Sequence, residues 1–211
     1  MDKTLRRLTP DEYTAWRPSR EYLAHYITFR PNMLDAATCD TLARAFDEHP
    51  ELQVERAQGD HFRFMQTDVT EHSGKEPWKS CHEKVVTALG EGLSCYAKDL
   101  DYAGVGGAAV FPERMAFERV RINRTANNGK DGFGNHVDVD TYVSARRFLT
   151  LLFYLSDVEV GGDAAFPTLG FSVKPTKGAL LCFPSNWIYL HCGIKPLSHP
   201  KYIMTSFGHY L

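Results

Sequence analysis

Two histidines and an aspartate are the residues of this sequence best suited to chemistry. His136 and Asp138 stand two positions apart, and His191 follows well downstream. Two imidazoles and one carboxylate on one face of a metal leave the opposite coordination positions open. That arrangement suits ferrous iron, which can then hold a bidentate co-substrate and bind dioxygen. The triplet therefore predicts a non-haem iron site with His136, Asp138 and His191 as its metal ligands and catalytic residues.

The spacing of these residues indicates which elements must position them. Side chains at i and i+2 of a strand point to the same side, so His136 and Asp138 can grip one ion from one strand end. A ligand as distant as His191 fits a return strand of a folded β-sandwich. The chain has 9 histidines, so a His-x-Asp pair with a later His also arises by chance.

The composition is that of an ordinary globular enzyme or binding protein. The 211 residues are most simply one domain, with 43% hydrophobic and 24% charged residues. A formal charge of −2 offers no basic surface for nucleic acid. No apolar run is long enough to span a membrane, so neither nucleic acid nor membrane is expected as a partner. The oligomeric state stays open.

The N-terminus and the cysteines favour a cytoplasmic location. The first seven residues lack the apolar core of a signal peptide and are typical of a mature cytosolic sequence. Five scattered cysteines without a Cys-x-x-Cys pair argue against a disulfide framework and against a zinc ribbon. Reduced thiols in the cytoplasm are the simplest account.

The first half of the chain, residues 1–110, is predicted to be mainly helical. Asp35 can cap a helix that runs to Phe46. A longer helix is predicted to have Pro77 in its first turn, with a buried stripe at Trp78, Val85, Leu89, Leu93 and Tyr96. Between these helices, residues 54–57 and 61–65 predict a hairpin around 58–60. Residues 104–109 are a glycine-rich link without the strand-to-helix setting of a phosphate-binding loop.

The second half, residues 111–211, is predicted to consist of short strands. Residues 115–122 alternate as one half-buried strand, and residues 148–155 are a continuous apolar strand. Further strands are expected at 173–175, 178–183 and 201–207. Residues 125–134 form a polar loop directly before the ligand pair, and such a loop is a candidate substrate lid. The class is therefore α+β with a mainly β core, a sandwich or a barrel.

Five segments in a fixed order extend the metal triplet into a larger pattern. They are His136-Val137-Asp138, the strand Thr150–Leu155, the turn Gly161–Pro167, the strand Lys177–Phe183, and His191 followed by Lys201. Together they resemble the prolyl-4-hydroxylase-like branch of the 2-oxoglutarate- and Fe(II)-dependent dioxygenases over roughly residues 115–211. The resemblance implies a double-stranded β-helix, or jelly roll, with N-terminal packing helices. The whole of 1–211 would then be one dioxygenase domain.

The resemblance also implies a role for individual residues around the iron. Lys201 would pair with the far carboxylate of 2-oxoglutarate, with Tyr154 donating a hydrogen bond to the same carboxylate and Thr150 on the same strand face. Asn123 stands where the family often has a tyrosine, so its assignment to the co-substrate departs from the family pattern. Arg147 and Arg121 are candidates for binding an anionic group of the substrate, and Arg119 is a similar candidate.

The activity implied by the resemblance is oxidation of an unactivated C–H bond. 2-Oxoglutarate and dioxygen would be co-substrates of Fe(II), with succinate and carbon dioxide as products and ascorbate as a candidate reductant. An aspartate at 138 favours hydroxylation over halogenation, while desaturation and ring formation stay open. The preferred substrate is a small molecule, either a free amino acid or a natural-product intermediate. The alternatives are a prolyl or other protein hydroxylase, and a non-enzymatic jelly-roll binding protein.

Overall fold

A computed structural model describes residues 20–59 and 62–211. The first seven residues, from which a cytosolic sequence is predicted, lie outside the described residues. So do position 60 of the predicted hairpin turn and position 61, the first of its second predicted strand. No described helix is long and apolar enough to cross a membrane.

The described helices pack on one side of a large sheet. They are α1 Arg20–Ala24, α2 Ala36–Glu48, α3 Val69–His72 and α4 Trp78–Tyr102, with single 3₁₀ turns at Pro50–Leu52 and Gly107–Val110. The predicted cap of α2 is confirmed, because the Asp35 carboxylate accepts the Thr38 backbone N–H at 2.8 Å. The second 3₁₀ turn lies in the predicted glycine-rich link.

Helix α4 is the predicted long helix and lies directly against the sheet. It begins one residue later than expected, since Pro77 occupies the N-cap and Trp78 is the first helical residue. The stripe is buried as predicted at Trp78, Val85, Leu89 and Tyr96, and Leu93 is partly buried. A Cβ at Gly92 would lie 2.3 Å from the end of the Leu180 side chain, so a larger residue there would displace that buried leucine.

The described residues form twelve strands in one sheet, and every pairing is antiparallel. Their bounds are β1 Thr28–Arg30, β2 Val54–Gln58, β3 Phe62–Asp68, β4 Met115–Phe117, β5 Arg121–Thr125, β6 Gly132–His136, β7 Arg147–Tyr154, β8 Ala164–Phe166, β9 Phe171–Val173, β10 Leu180–Pro184, β11 His191–Gly193 and β12 Lys201–Tyr210.

The strand order shows how the sheet curls into a roll. It runs β1-β10-β7-β12-β5-β3-β6-β11-β8-β9, with β2 paired to β3 and β4 paired to β12. The predicted fold class, a mainly β jelly roll with N-terminal packing helices, is confirmed. β1 and the β2–β3 hairpin come from the first half of the chain, so that half also contributes strands. The division at residue 110 stays a prediction.

Two separate cores lie on the two faces of strand β7. Leu149, Leu151 and Phe153 face the helices and belong to the larger core. Leu152 and Tyr154 face the inside of the roll and belong to a smaller core there. Because side chains alternate along a strand, Thr150 also faces the inside. The inner face carries the residues that were expected to do chemistry.

The predicted single strand 115–122 is wrong in one respect, because it is broken into β4 and β5. Between them, the Glu118 N–H donates to the Phe207 carbonyl at 2.8 Å. The Val120 N–H instead donates to the Thr70 hydroxyl at 2.9 Å. A contact with the distant helix α3 thus interrupts the ladder, and local alternation could not reveal it.

The polar loop before the ligand pair is shorter than predicted, since β6 begins at Gly132. Phe133 extends the strand because its ring stacks on Phe64 at a centroid distance of 4.3 Å. The remaining loop is internally bonded. The Asn128 side chain accepts the N–H groups of Lys130 at 2.9 Å and of Asp131 at 2.8 Å.

Candidate active site

The three predicted metal ligands come together at the open end of the roll. His136 is the last residue of β6 and His191 the first of β11, and the two are direct partners in the antiparallel register. Asp138 lies two residues beyond β6, so strand alternation alone does not place it. One donor atom from each of the three residues lies within 4.8 Å of the others.

Hydrogen bonds to carbonyl groups set the orientation of both imidazoles. The Nδ1 atom of His136 is 2.8 Å from the Gly134 oxygen, and that of His191 is 3.0 Å from the Tyr189 oxygen. A carbonyl oxygen only accepts, so each Nδ1 carries the proton and donates it. The Nε2 lone pairs are then free, and each Nε2 lies 3.8 Å from an Asp138 oxygen. Such carbonyl partners are typical of histidines that bind metals.

The carboxylate of Asp138 is fixed from the inner face of β7. The Thr150 hydroxyl donates to Asp138 Oδ2 at 2.6 Å. The Ser185 hydroxyl lies 2.9 Å from the Thr150 oxygen and, since that proton is engaged, is the donor of the pair. Arg147 also donates to the Asp138 backbone carbonyl at 3.1 Å. The ligand is therefore held through both its side chain and its backbone.

Burial keeps His191 in the form that binds metal. Loss of solvent lowers the pKa of His191, and the Asp138 carboxylate acts in the opposite direction. The lowered pKa favours the neutral imidazole, which is the form that coordinates a metal.

Lys201 is a buried cation at the inner end of the same cavity. It is 3% exposed, and its ammonium group donates to the Gly162 carbonyl at 2.5 Å. Burial lowers the pKa of Lys201 to about 8, and the Asp163 carboxylate opposes that shift. Within the described residues no carboxylate lies within 4.0 Å of the ammonium. A buried charge without a partner points to an anion supplied from outside the chain.

Tyr154 provides a second unsatisfied group near Lys201. Its hydroxyl is fully buried and has no hydrogen-bond partner among residues 20–59 and 62–211. Burial is also the main cause that raises the pKa of this phenol. The ammonium of Lys201 lies 5.8 Å from the centre of the Tyr154 ring. A phenol without a hydrogen-bond partner and an ammonium without a carboxylate partner fit the carboxylate of an acid such as 2-oxoglutarate.

Asn123 and Thr150 line the same cavity with their polar groups already engaged. The Asn123 amide oxygen accepts from Gln66 at 2.8 Å, and its nitrogen reaches the Thr205 hydroxyl at 3.5 Å. Thr150 donates to Asp138 as described. A direct contact of either residue with the co-substrate stays a prediction.

The cavity above the triad has a volume of about 1300 Å³. Its outer wall includes the β2–β3 hairpin, through Arg56, Gln58, Phe62, Phe64 and Gln66. Sequence reasoning found the hairpin and the alternation of Phe62 and Phe64, but nothing in it showed that the hairpin faces the iron site. Of the loop predicted as a lid, residues 133 and 134 line the cavity. The internally hydrogen-bonded part at 126–131 does not.

The arginines proposed for substrate binding differ in their environment. Arg147 forms two bonds with the Glu118 carboxylate, at 2.7 and 2.8 Å, and covers the Phe207 ring. Arg119 pairs with Asp68 and Glu71 and does not line the main cavity. Arg121 lines the cavity with only long ion pairs, at 3.8 and 3.9 Å.

Comparisons with known proteins agree with this geometry. Residues 120–209 match the sequence profile of the 2OG-Fe(II) oxygenase superfamily. No curated protein sequence matches the chain. A viral collagen prolyl hydroxylase from Paramecium bursaria Chlorella virus-1, in complex with 2-oxoglutarate, is 21% identical with a TM-score of 0.59. The alignment covers 88% of this chain and 96% of that one.

Two further solved structures share the fold at lower identity. A prolyl hydroxylase from Trichoplax adhaerens, in complex with a peptide of hypoxia-inducible factor, is 14% identical with a TM-score of 0.67. That alignment covers 90% of this chain and 89% of the other. A Pseudomonas putida prolyl-4-hydroxylase is also 14% identical, with a TM-score of 0.60 and coverage of 91% and 97%. At these identities the likeness concerns the fold.

Over residues 120–209 this chain matches the 2OG-Fe(II) oxygenase superfamily, and it shares its fold with solved structures named as prolyl hydroxylases. It is a 2-oxoglutarate-dependent dioxygenase, with Fe(II) as its metal and 2-oxoglutarate as its co-substrate. The non-enzymatic alternative is thereby set aside. The donor set of His136, Asp138 and His191 fits the iron.

Proposed function

We propose that the enzyme hydroxylates an unactivated C–H bond of a small molecule, with decarboxylation of 2-oxoglutarate to succinate and carbon dioxide. The observation that carries the proposal is one cavity with both a two-histidine, one-carboxylate cluster and a buried lysine that has no carboxylate partner among the described residues. His136, Asp138 and His191 hold the iron, which supplies the activation of dioxygen when bound. A free amino acid or natural-product intermediate is the preferred substrate class.

The remaining side chains orient the co-substrate and keep water away. Lys201 and Tyr154 bind the far carboxylate of 2-oxoglutarate, and Asn123 borders it. Aromatic rings shield both histidines: Phe62 lies 5.3 Å from the His136 ring and Phe183 lies 4.7 Å from the His191 ring. Exclusion of water strengthens every charge interaction inside the cavity. Ascorbate is a candidate reductant for turnovers without substrate.

Hydroxylation of a prolyl or other residue in a peptide is the second candidate function. The three structurally similar proteins are named as prolyl hydroxylases, and one is in complex with a peptide. A cavity of about 1300 Å³ also exceeds the usual 300–1,000 Å³ of small-ligand sites. Because 2-oxoglutarate would occupy part of that volume, the space left beside it still suits a small molecule such as a free amino acid.

A screen of succinate formation separates the two candidates. Free amino acids and proline-containing peptides are added to the Fe(II)-loaded enzyme with 2-oxoglutarate, and the masses of the products are measured by mass spectrometry. The proposal predicts that a free amino acid stimulates succinate formation and gains one oxygen atom. Stimulation by peptides alone would transfer the assignment to the second candidate, and loss of two hydrogens would indicate desaturation.

We further propose that the cysteines are reduced and that the protein is cytoplasmic. All five cysteines are free, which agrees with reduced thiols. A cytoplasmic location stays a prediction.

Replacing Thr150 with Val should weaken metal binding by about 10- to 100-fold, because groups that orient metal ligands contribute in that range. The variant keeps the shape of the side chain and removes the hydroxyl that donates to Asp138. Mn(II) affinity, measured by titration calorimetry, gives the result independently of turnover. Thr150→Ser retains the hydroxyl and should restore affinity. Equal affinity in Thr150→Val and the wild type would show that this bond does not position Asp138.

A further inference from the structure

A boundary of three polar side chains separates the iron cavity from a second depression. The second depression has a volume of about 410 Å³. Arg56, Gln66 and Arg121 line both spaces. A substrate that extends from the iron into this second depression therefore passes two guanidinium groups and an amide.

Arg121 is the guanidinium at this boundary that lacks a close partner. Its side chain is only 27% exposed, yet it donates no hydrogen bond within residues 20–59 and 62–211. Its nearest acids are Asp68 at 3.8 Å and Glu118 at 3.9 Å. Arginine has five N–H donors in a planar fork that matches a carboxylate, so its donors here are available to a ligand.

The two acids near Arg121 are already bound at shorter range by other arginines. Arg147 holds Glu118 through two bonds of 2.7 and 2.8 Å. Arg119 holds Asp68 at 3.1 Å, and Asp68 also accepts the Glu71 N–H at the start of α3. Each of these two acids thus has an arginine partner closer than Arg121, and the donors of the Arg121 guanidinium stay unengaged among the described residues.

Arg56 adds a second cation in a defined orientation. Its Nε donates to the Gln66 side-chain oxygen at 3.1 Å, while the Gln66 nitrogen donates to Asn123 at 2.8 Å. This chain of bonds links the hairpin to the buried strand β5. The terminal nitrogens of Arg56 are left free of hydrogen bonds to the described residues.

On the iron side of this boundary the wall is apolar. The rings of Phe62 and Phe133 lie 4.9 Å apart, and both contact the ring of His136. This wall can accept an aliphatic segment next to the metal. The cavity therefore offers an apolar place beside the iron and a cationic place farther out.

We propose that Arg121, assisted by Arg56, binds a carboxylate of the substrate while an aliphatic part lies against Phe62 and Phe133 near the iron. This inference rests on the proposed function and narrows the substrate to carboxylic acids with an aliphatic chain. The carboxylate can belong to a free acid or to a peptide, and the test has an arm for each.

The test compares acids with their neutral primary amides. Aliphatic amino acids, simple aliphatic acids, acidic peptides and the amide of each are assayed for stimulated succinate formation with the wild type and with Arg121→Gln. The wild type should prefer an acid over its amide. Arg121→Gln should lose about 10- to 100-fold in kcat/KM for that acid, mainly through KM, and the acid-to-amide ratio should fall to about one. Arg121→Lys, which keeps the charge without the fork, should lie between them.

Arg146→Gln is the matched control, because Arg146 is exposed and lines neither the iron cavity nor the second depression. It should keep the acid preference. The proposal is overturned if Arg121→Gln retains that preference, if the wild type accepts amides as well as acids, or if no carboxylate stimulates turnover. Succinate formed without substrate is recorded in the same wells for the wild type. Its absence would count against the proposed function, whereas its presence without acid preference would refute only the role of Arg121.

Discussion

We expect the replacement of His136 with Ala to abolish iron-dependent turnover of 2-oxoglutarate. The variant removes one of three donors that converge within 4.8 Å and leaves Asp138 and His191 to hold the ion alone. Loss of a group that merely supports a ligand costs 10- to 100-fold in metal affinity, so loss of the ligand itself should cost at least about 100-fold. Succinate formation should fall to the level without enzyme, and Mn(II) binding measured by calorimetry should weaken in parallel.

His199→Ala is the matched control for this experiment. His199 is exposed and lies eight residues after His191, outside the cavity. It should bind metal and turn over 2-oxoglutarate like the wild type. Circular dichroism of both variants shows whether the fold is retained. Unchanged turnover in a folded His136→Ala variant would contradict the assignment of the metal site.

Replacing Lys201 with Met should weaken binding of 2-oxoglutarate by on the order of 100-fold or more. Removing one partner of a buried hydrogen-bonded charge pair costs about 2–5 kcal/mol, which is a factor of that size. Methionine keeps the length of the side chain and suits the apolar surroundings. Mn(II) affinity without 2-oxoglutarate should stay within a few-fold, because Lys201 is not a metal ligand.

Lys195→Met is the matched control for Lys201. Lys195 lines the same cavity but is exposed and donates to the Gly129 carbonyl at 2.8 Å. Calorimetric titration of the Mn(II)-loaded proteins with 2-oxoglutarate gives both affinities. Equal losses in the two variants would show that a general positive potential, and not the buried ammonium, holds the co-substrate.

The lowered pKa of Lys201 also predicts how 2-oxoglutarate affinity depends on pH. Without ligand, Lys201 is protonated below about pH 8 and neutral above it. A bound carboxylate favours the charged form and raises the pKa, so affinity is highest below about pH 8 and falls as the pH rises beyond it. Lys201→Arg should remove this decline, because a guanidinium stays charged. An affinity that is flat from pH 7 to 9 in the wild type would contradict this role.

The same shift has a defined effect on the stability of the unliganded protein. The folded pKa lies below the ordinary value of 10.5, so the folded state binds fewer protons than the unfolded state between about pH 8 and 10.5. Stability contributed by this group therefore rises with pH across that window, and the penalty of the buried charge is fully present below about pH 8.

The metal ligands could be predicted from sequence because their chemistry is carried by residue type and order. His136, Asp138 and His191 needed only two strands that return to the same end of a roll. The state of Lys201 could not be predicted in the same way. Its position after His191 indicated a role, but its burial and lack of a carboxylate partner depend on packing by distant strands.

The substrate-facing residues were less predictable, because their partners are distant in sequence. The sequence does not distinguish Arg121 from Arg147, because alternation predicts the face of the strand on which a side chain lies but not the acidic residue that contacts it. Glu118 distinguishes them by binding Arg147. The break between β4 and β5 depends on Thr70, and local alternation contains no trace of it. The position of the β2–β3 hairpin beside the iron cavity could not be predicted either, because it depends on the pairing of β3 with β5 and β6.

The central claim is that this chain uses dioxygen to decarboxylate 2-oxoglutarate at a metal held by His136, Asp138 and His191. The most direct measurement supplies ¹⁸O₂ to the Fe(II)-loaded enzyme with 2-oxoglutarate and ascorbate, and records the mass of the succinate. Succinate should carry one labelled oxygen atom, and carbon dioxide should be released in equal amount. No iron-dependent succinate, or succinate without the label, would contradict the account.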